Sequence, residues 1–287
     1  MLLQFVINGL ITGLLYSLLA IGFALVYNTT HIFHIAAAGI YVFAAYMFWW
    51  LHGMVGVIAA GVMAIALTMI LSLCIEFIVS SPLRRKKSSL SVIMIASIGL
   101  MTIIVNFLSM IYGNETKVIE NAIQGIYSIG ELILTTPQLY QIIFSVITLL
   151  SFILALNYTK FGLKIRAVSS DETLFEALGY NAGYTFIQVA LCSGLFIGVA
   201  SCLTIYDVGL DPNMGMTVLI NAMVAMIIGG NGRFEACIIG GLLLGVLQSL
   251  SVYWFASNWQ NAITFAMLLL FLFLRPQGIV GYKQRAM

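Results

Sequence analysis

The stretch from Ile7 to Tyr46, "INGLITGLLYSLLAIGFALVYNTTHIFHIAAAGIYVFAAY", holds no Asp, Glu, Lys or Arg. Its first part is continuously apolar for about the 20 residues that a helix needs to cross roughly 30 Å of hydrocarbon. A barrel strand would instead alternate apolar and polar residues over about 10 positions. The stretch therefore predicts a membrane-spanning helix at 4 to 27, followed by a shorter, glycine-punctuated one at 36 to 51.

The rest of the chain has the same character. Of 287 residues, 62% are hydrophobic and 8% charged, with a mean hydropathy of +1.08. These values lie outside the range of soluble domains. Further apolar runs fall at 54 to 79, 90 to 111, 139 to 157, 186 to 206, 216 to 230, 236 to 256 and 259 to 274. The expected fold is all-α: a polytopic membrane protein of about eight or nine transmembrane helices, one domain over 1 to 287. The second and seventh runs are short enough to be half-helices or re-entrant pieces. A long, short, long succession of runs at 4 to 79 returns at 186 to 256, an expected inverted internal repeat.

Nothing in the first residues reads as a cleavable signal peptide, since no Lys or Arg precedes the apolar run. Cys74, Cys192, Cys202 and Cys237 show no metal-ligand spacing and read as small packing residues. With nine crossings, eleven of the twelve Lys and Arg fall on one side and only Lys117 on the other. That asymmetry places "SSPLRRKKSS", the loop at 158 to 185 and the C-terminus in the cytoplasm, and the N-terminus outside. The loop from Tyr112 to Gln138 is then external and expected to lie on the membrane surface or against the protein.

The longest conspicuously polar stretch is "RAVSSDETLFEALGYN", Arg166 to Asn181. Ser169 and Glu172 have capping-box spacing, Asp171 and Glu172 bring negative charge to a first helical turn, and Gly179 supplies a stop. A helix of about two turns follows, with Leu174 and Leu178 on one face and Phe175 beside them. So short a helix is marginal in water and needs something to pack against. Two partners fit: the protein's own surface, or a groove on a cytoplasmic protein.

This loop resembles the one that docks on the ATPase in bacterial ABC-importer permeases of the branched-chain amino acid class, the LivH-like family. The resemblance extends to the opening Ile7 to Tyr46 segment, to "IIGGNGRFEACIIGGLLLGVLQSL" and to the closing "FLFLRPQGIVG", in the family's order from about residue 7 to 281. Where that family usually reads Asn-Phe-Ala-His-Gly, this chain has Phe33-His34-Ile35-Ala36-Ala37-Ala38-Gly39. The resemblance implies the permease subunit of an ATP-driven importer in a bacterial inner membrane. It also implies separate cytoplasmic ATPases, a second related permease subunit and an extracytoplasmic solute-binding protein. Arg166, Asp171, Glu172, Leu174, Phe175, Leu178 and Gly179 are the coupling residues that it suggests.

Polar groups embedded in apolar sequence are the candidates for a solute pathway: Asn8, Thr12, Tyr16, His34, Asn106 and Asn221, with Gly39 at a break in the second run. Each is equally suited to a helix-to-helix hydrogen bond. Acidic residues sit in loops or near run ends, which argues against a carrier that senses an ion at membrane depth. No GxxxxGK[ST] phosphate loop is present, so ATP hydrolysis belongs to another chain. Asp207, Asp211 and the loop from Asn114 to Gln138 are expected as docking surface for the binding protein. An ion-coupled carrier or channel is the alternative; no enzymatic constellation, cofactor, metal or nucleic-acid partner is expected.

Overall fold

In the computed structural model, which describes residues 2–119, 125–129, 132–230, 232–254, 259–275 and 277–280, each apolar run becomes a helix. The elements in order are α1 (Leu2–Thr30), α2 (Ala36–Val55), α3 (Val57–Ile75), α4 (Ser81–Arg85) and α5 (Leu90–Tyr112), then α6 (Thr136–Tyr158), α7 (Lys160–Ser170) and α8 (Glu172–Ala177). After them come α9 (Ala182–Val208), α10 (Met214–Gly229), α11 (Phe234–Trp254) and α12 (Gln260–Leu274). A π-turn at Glu76–Ser80 joins α3 to α4, so Val57–Arg85 is one apolar rod.

Among the described residues, 7 helices are long and apolar enough to cross a membrane. With 16 and 15 residues, α10 and α12 are shorter, about 24 and 22 Å at the usual helical rise. The second run, expected as a possible half-helix at 36 to 51, is a helix of 20 residues. It continues through Gly53 because one glycine weakens a helix by only about 1 kcal/mol, and it stops at Gly56, whose φ of +83° suits a residue without Cβ.

The segment between α5 and α6 contains a short hairpin. Strand β1 (Ile126–Ile129) pairs antiparallel with β2 (Leu132–Thr135), Ile126 opposite Thr135. The segment lies against the protein: Gln4 exchanges two hydrogen bonds with the Ile133 backbone, at 2.8 and 3.0 Å, and Lys117 forms a backbone bridge with Leu210. Glu120 and Glu131 lie outside the described residues, as do Lys283 and Arg285.

Small residues set the packing, as they do where lipid removes the hydrophobic drive between helices. A Cβ on Gly9 of α1 would stand 2.7 Å from the Val246 Cα of α11, and one on Gly13 2.7 Å from the Leu242 Cα. Ser249 of α11 closes this seam by donating to the Phe5 carbonyl at 2.6 Å. A second seam joins α9 to α3. There a Cβ on Gly194 would stand 3.1 Å from the Met69 Cα and one on Gly198 3.4 Å from the Ile65 Cα, while Ser72 donates to the Ala190 carbonyl at 2.7 Å. The correspondence runs position by position: Phe5, Gly9 and Gly13 with Ala190, Gly194 and Gly198; Ser249, Val246 and Leu242 with Ser72, Met69 and Ile65.

The chain's last described turn is also held by glycine. Gly278, at φ +74°, sits against Gly230, and the Ile279 and Val280 amides donate to the carbonyls of Ile228 and Gly229 at 2.9 and 3.0 Å.

Candidate functional site: a polar cavity and a clamped surface helix

A cavity of about 510 Å³ opens among α1, α2, α6, α9, α10, α11 and α12. On α1 its wall is the stripe Asn8, Thr12 and Tyr16, four residues apart and so on one helical face. From Phe5 to Leu19, both lining residues, it follows α1 for about 21 Å. At its shallow end stand Gln138, Val208 and Gln260, at helix termini. Below Leu19 the path is shut by fully buried apolar groups, Ile21, Leu25, Ile40, Ile197 and Ile228 among them. The cavity thus reaches in from one end of the bundle and stops.

Its floor is a hydrogen-bonded set drawn from four helices. The Tyr16 hydroxyl donates to Gln248 Oε1 at 2.8 Å and accepts from Asn221 Nδ2 at 3.2 Å. Gln248 Nε2 in turn donates to Asn221 Oδ1 at 3.3 Å and to the Thr264 hydroxyl. Asn221, Gln248 and Thr264 are buried, so these mutual bonds are what makes them tolerable there.

The structure therefore brings four of the seven sequence candidates to one cavity: Asn8, Thr12, Tyr16 and Asn221. The other three lie elsewhere. His34 is on the connection between α1 and α2, at the opposite end of α1, where its carbonyl accepts from the Ala37 amide. Gly39 is buried against α5, a Cβ there standing 3.2 Å from the Met101 Cα, and so serves close packing. Asn106 is exposed on α5 and donates to its own helix at the Thr102 carbonyl.

Sequence reasoning missed Gln141, Thr204, Gln248 and Thr217 as lining groups. Gln248, a lone amide in "LLLGVLQSL", carried the same signal as Asn221. Asp207, expected as docking surface, lines the cavity, because α9 runs on through Val208 and places it one turn above Thr204.

At the other end of the bundle, the polar loop forms α7 and α8. Asp171, and not Ser169, caps α8: its carboxylate accepts from the Leu174 amide at 3.0 Å and the Thr173 hydroxyl at 2.6 Å. These bonds to the charged form hold its carboxyl below the usual carboxylate range. Ser169 lies inside α7, where it has no N-terminus to cap. At the end of α8 the Gly179 amide donates to Glu176 and the Tyr180 amide to Phe175. With Gly179 at φ +84°, this is a Schellman ending.

The large apolar residues of α8 and its C-cap Leu178 divide. Phe175 is 4% exposed, clustered with Val168, Ala182 and Phe186 and stacked on Tyr180 at 5.1 Å. Leu174 and Leu178 are 58% and 68% exposed. The helix is thus bolted to its own protein by Phe175 and holds two leucines outward. Phe186 passes the contact on, since the Arg84 guanidinium lies 4.1 Å over its ring and pairs with Glu76 at the π-turn. Arg166 is engaged locally: its guanidinium donates to the carbonyls of Leu156 at 2.7 Å and Gly162 at 3.3 Å, capping the end of α6.

Apolar helices packed through glycine seams around a one-ended cavity of amides and hydroxyls define a polytopic membrane transport protein. Over residues 5–272 the sequence matches the family described as the permease component of branched-chain amino acid transport systems. The chain belongs to that family.

Relatives agree along nearly the whole length. The high-affinity branched-chain amino acid transport system permease protein LivH of Escherichia coli is 26% identical, the match covering 97% of this chain and 95% of that one. The corresponding protein BraD of Pseudomonas aeruginosa is 25% identical over the same shares. A probable LivH of Methanocaldococcus jannaschii is 24% identical over 96% and 91%. Among solved structures, PsaBC from Streptococcus pneumoniae in complex with Fab has the same fold, with a TM-score of 0.53 and 12% identity over 94% of this chain and 91% of that one.

Proposed function

We propose that this permease carries branched-chain or related small amino acids inward across a bacterial inner membrane, driven by separate ATPases that dock on α8. The observation that carries the reading is the division of α8, with Phe175 anchored and Leu174 and Leu178 presented on one face. Two exposed leucines on a rigidly held helix suit a groove on a soluble partner. Of the two environments open to this helix, its own surface takes Phe175 and the partner takes the leucines. Movement of the ATPase would then pass through Phe175 and Phe186 to Arg84 and the π-turn of the Val57–Arg85 rod.

The bias of basic residues supports placing α8 and the C-terminus in the cytoplasm and the N-terminus outside. The cavity then faces outward and receives solute from an external binding protein that docks near Asp211, Lys117 and the hairpin. Its mixture of apolar wall, amides and hydroxyls suits a zwitterion with a greasy side chain. The matched seams support an inverted repeat of α1 to α3 with α9 to α11, and a second, related permease subunit completes the pathway.

The test is ATP-driven uptake of L-leucine by vesicles that contain the whole importer. Leu178→Asp is expected to insert normally and to lower uptake roughly tenfold or more, the effect of losing a buried interface anchor. Uptake at the wild-type rate would overturn the docking assignment.

A further inference from the structure

We propose that Asp207 holds the positively charged group of the solute, so that the cavity favours an ammonium-bearing molecule over an uncharged amide. The inference rests on the reading of this cavity as the transport pathway. Among the described residues, Asp207 is the one charged side chain that lines it; the other polar lining groups are amides and hydroxyls. The carboxylate is partly buried in the last turn of α9. Among the described residues Asp207 has no cation within ion-pair distance; Arg84 pairs with Glu76 far along the bundle.

Its one protein donor orients it without neutralising it. Gln141, 2% exposed, donates through Nε2 to Asp207 Oδ2 at 3.3 Å and to the Leu203 carbonyl at 3.1 Å. The second contact fixes the amide and hence the carboxylate. Oδ1 receives no hydrogen bond from the described residues. A partly desolvated carboxylate is costly to keep ionised unless a cation meets it. One turn deeper on the same face, the Thr204 hydroxyl also lines the cavity and donates to the Ala200 carbonyl at 2.8 Å. That oxygen also faces the Tyr41 hydroxyl, and its remaining acceptor site can take a second N–H from the same ammonium. The apolar side of a solute held this way would lie toward Leu15, Leu19 and Val218, which share the cavity wall.

The whole importer, reconstituted with its binding protein, is assayed for L-leucine uptake with the wild type, Asp207→Asn and Asp207→Glu. Asp207→Asn is expected to cut turnover roughly tenfold or more, the worth of one charged hydrogen bond, and Asp207→Glu to recover part of it. Asp207→Cys gives the independent check: an anionic sulfonatoethyl thiosulfonate should restore uptake and a cationic aminoethyl one should not, each relative to wild type treated alike. Wild-type turnover of Asp207→Asn, rescue by both reagents, or an uptake whose sodium requirement vanishes with Asp207→Asn would overturn the inference. A wild type that moves acetamide but no L-leucine would sink the solute reading with it.

Discussion

Three neighbouring apolar side chains of α8 and its C-cap look alike in sequence and differ sharply in burial. In the sequence Leu174, Phe175 and Leu178 form a single apolar knob; in the structure Phe175 turns into the cluster with Val168 and Phe186 while the leucines stay outside. That division depends on Ala182 and Phe186 of the next helix, which no local pattern could place. The cap was partly legible: acidic residues at 171 and 172 announced a helix start, but the capping-box spacing pointed to Ser169. Asp171 prevails because α7 continues through Ser170 and consumes Ser169. Replacing Asp171 by Ala should therefore speed amide exchange from Leu174 to Leu178 several-fold, whereas Ser169→Ala should leave it unchanged. The pH dependence has a definite sign. With its carboxyl depressed in the folded state, Asp171 supports α8 fully above about pH 4. That support is lost as pH falls through the lowered value, so protection of the Leu174 amide, corrected for the intrinsic pH dependence of exchange, should fall on acidification in the wild type and not in Asp171→Ala.

Helices were the most legible level of this protein, since crossing hydrocarbon demands length and apolarity and both are written in the sequence. Which face of each helix meets protein was not legible, because lipid-facing and protein-facing residues are alike apolar here. Asn106 and Asn221 illustrate the difficulty. Both are lone amides in apolar runs, yet one bonds its own helix at the surface and the other joins the cavity floor. Glycine spacing was the available clue to the protein-facing side, through Gly9 and Gly13 opposite Gly241 and Gly245. A Cβ at Gly245 would stand 2.5 Å from the Gly13 Cα, backbone that cannot yield. Gly245→Ala should thus destabilise the protein in detergent by about 1–3 kcal/mol. Gly53→Ala, with nothing within 4 Å of its Cβ, should be neutral or slightly stabilising. Equal melting temperatures for the two variants would deny the seam its structural role.

The molecule as a whole joins a cavity at one end to a clamped helix at the other, with a closed apolar section between them. The two equivalent seams give this body a candidate symmetry, and the Ser249–Phe5 and Ser72–Ala190 bonds are its matched pins. Ser249→Ala and Ser72→Ala should each lower stability by about 0.6 kcal/mol; a large loss for one with none for the other would argue against equivalent packing. In the proposed coupling, the closed section opens in response to a partner at the α8 end, and that dependence on a partner is what separates an ATP-driven permease from an ion-coupled carrier. It can be read by purifying the tagged chain gently from its native membrane and identifying what accompanies it. The account predicts ATPase subunits bearing a phosphate loop with the wild type and their loss with Leu178→Asp. Recovery of the chain alone, moving L-leucine across liposomes without ATP, would contradict it.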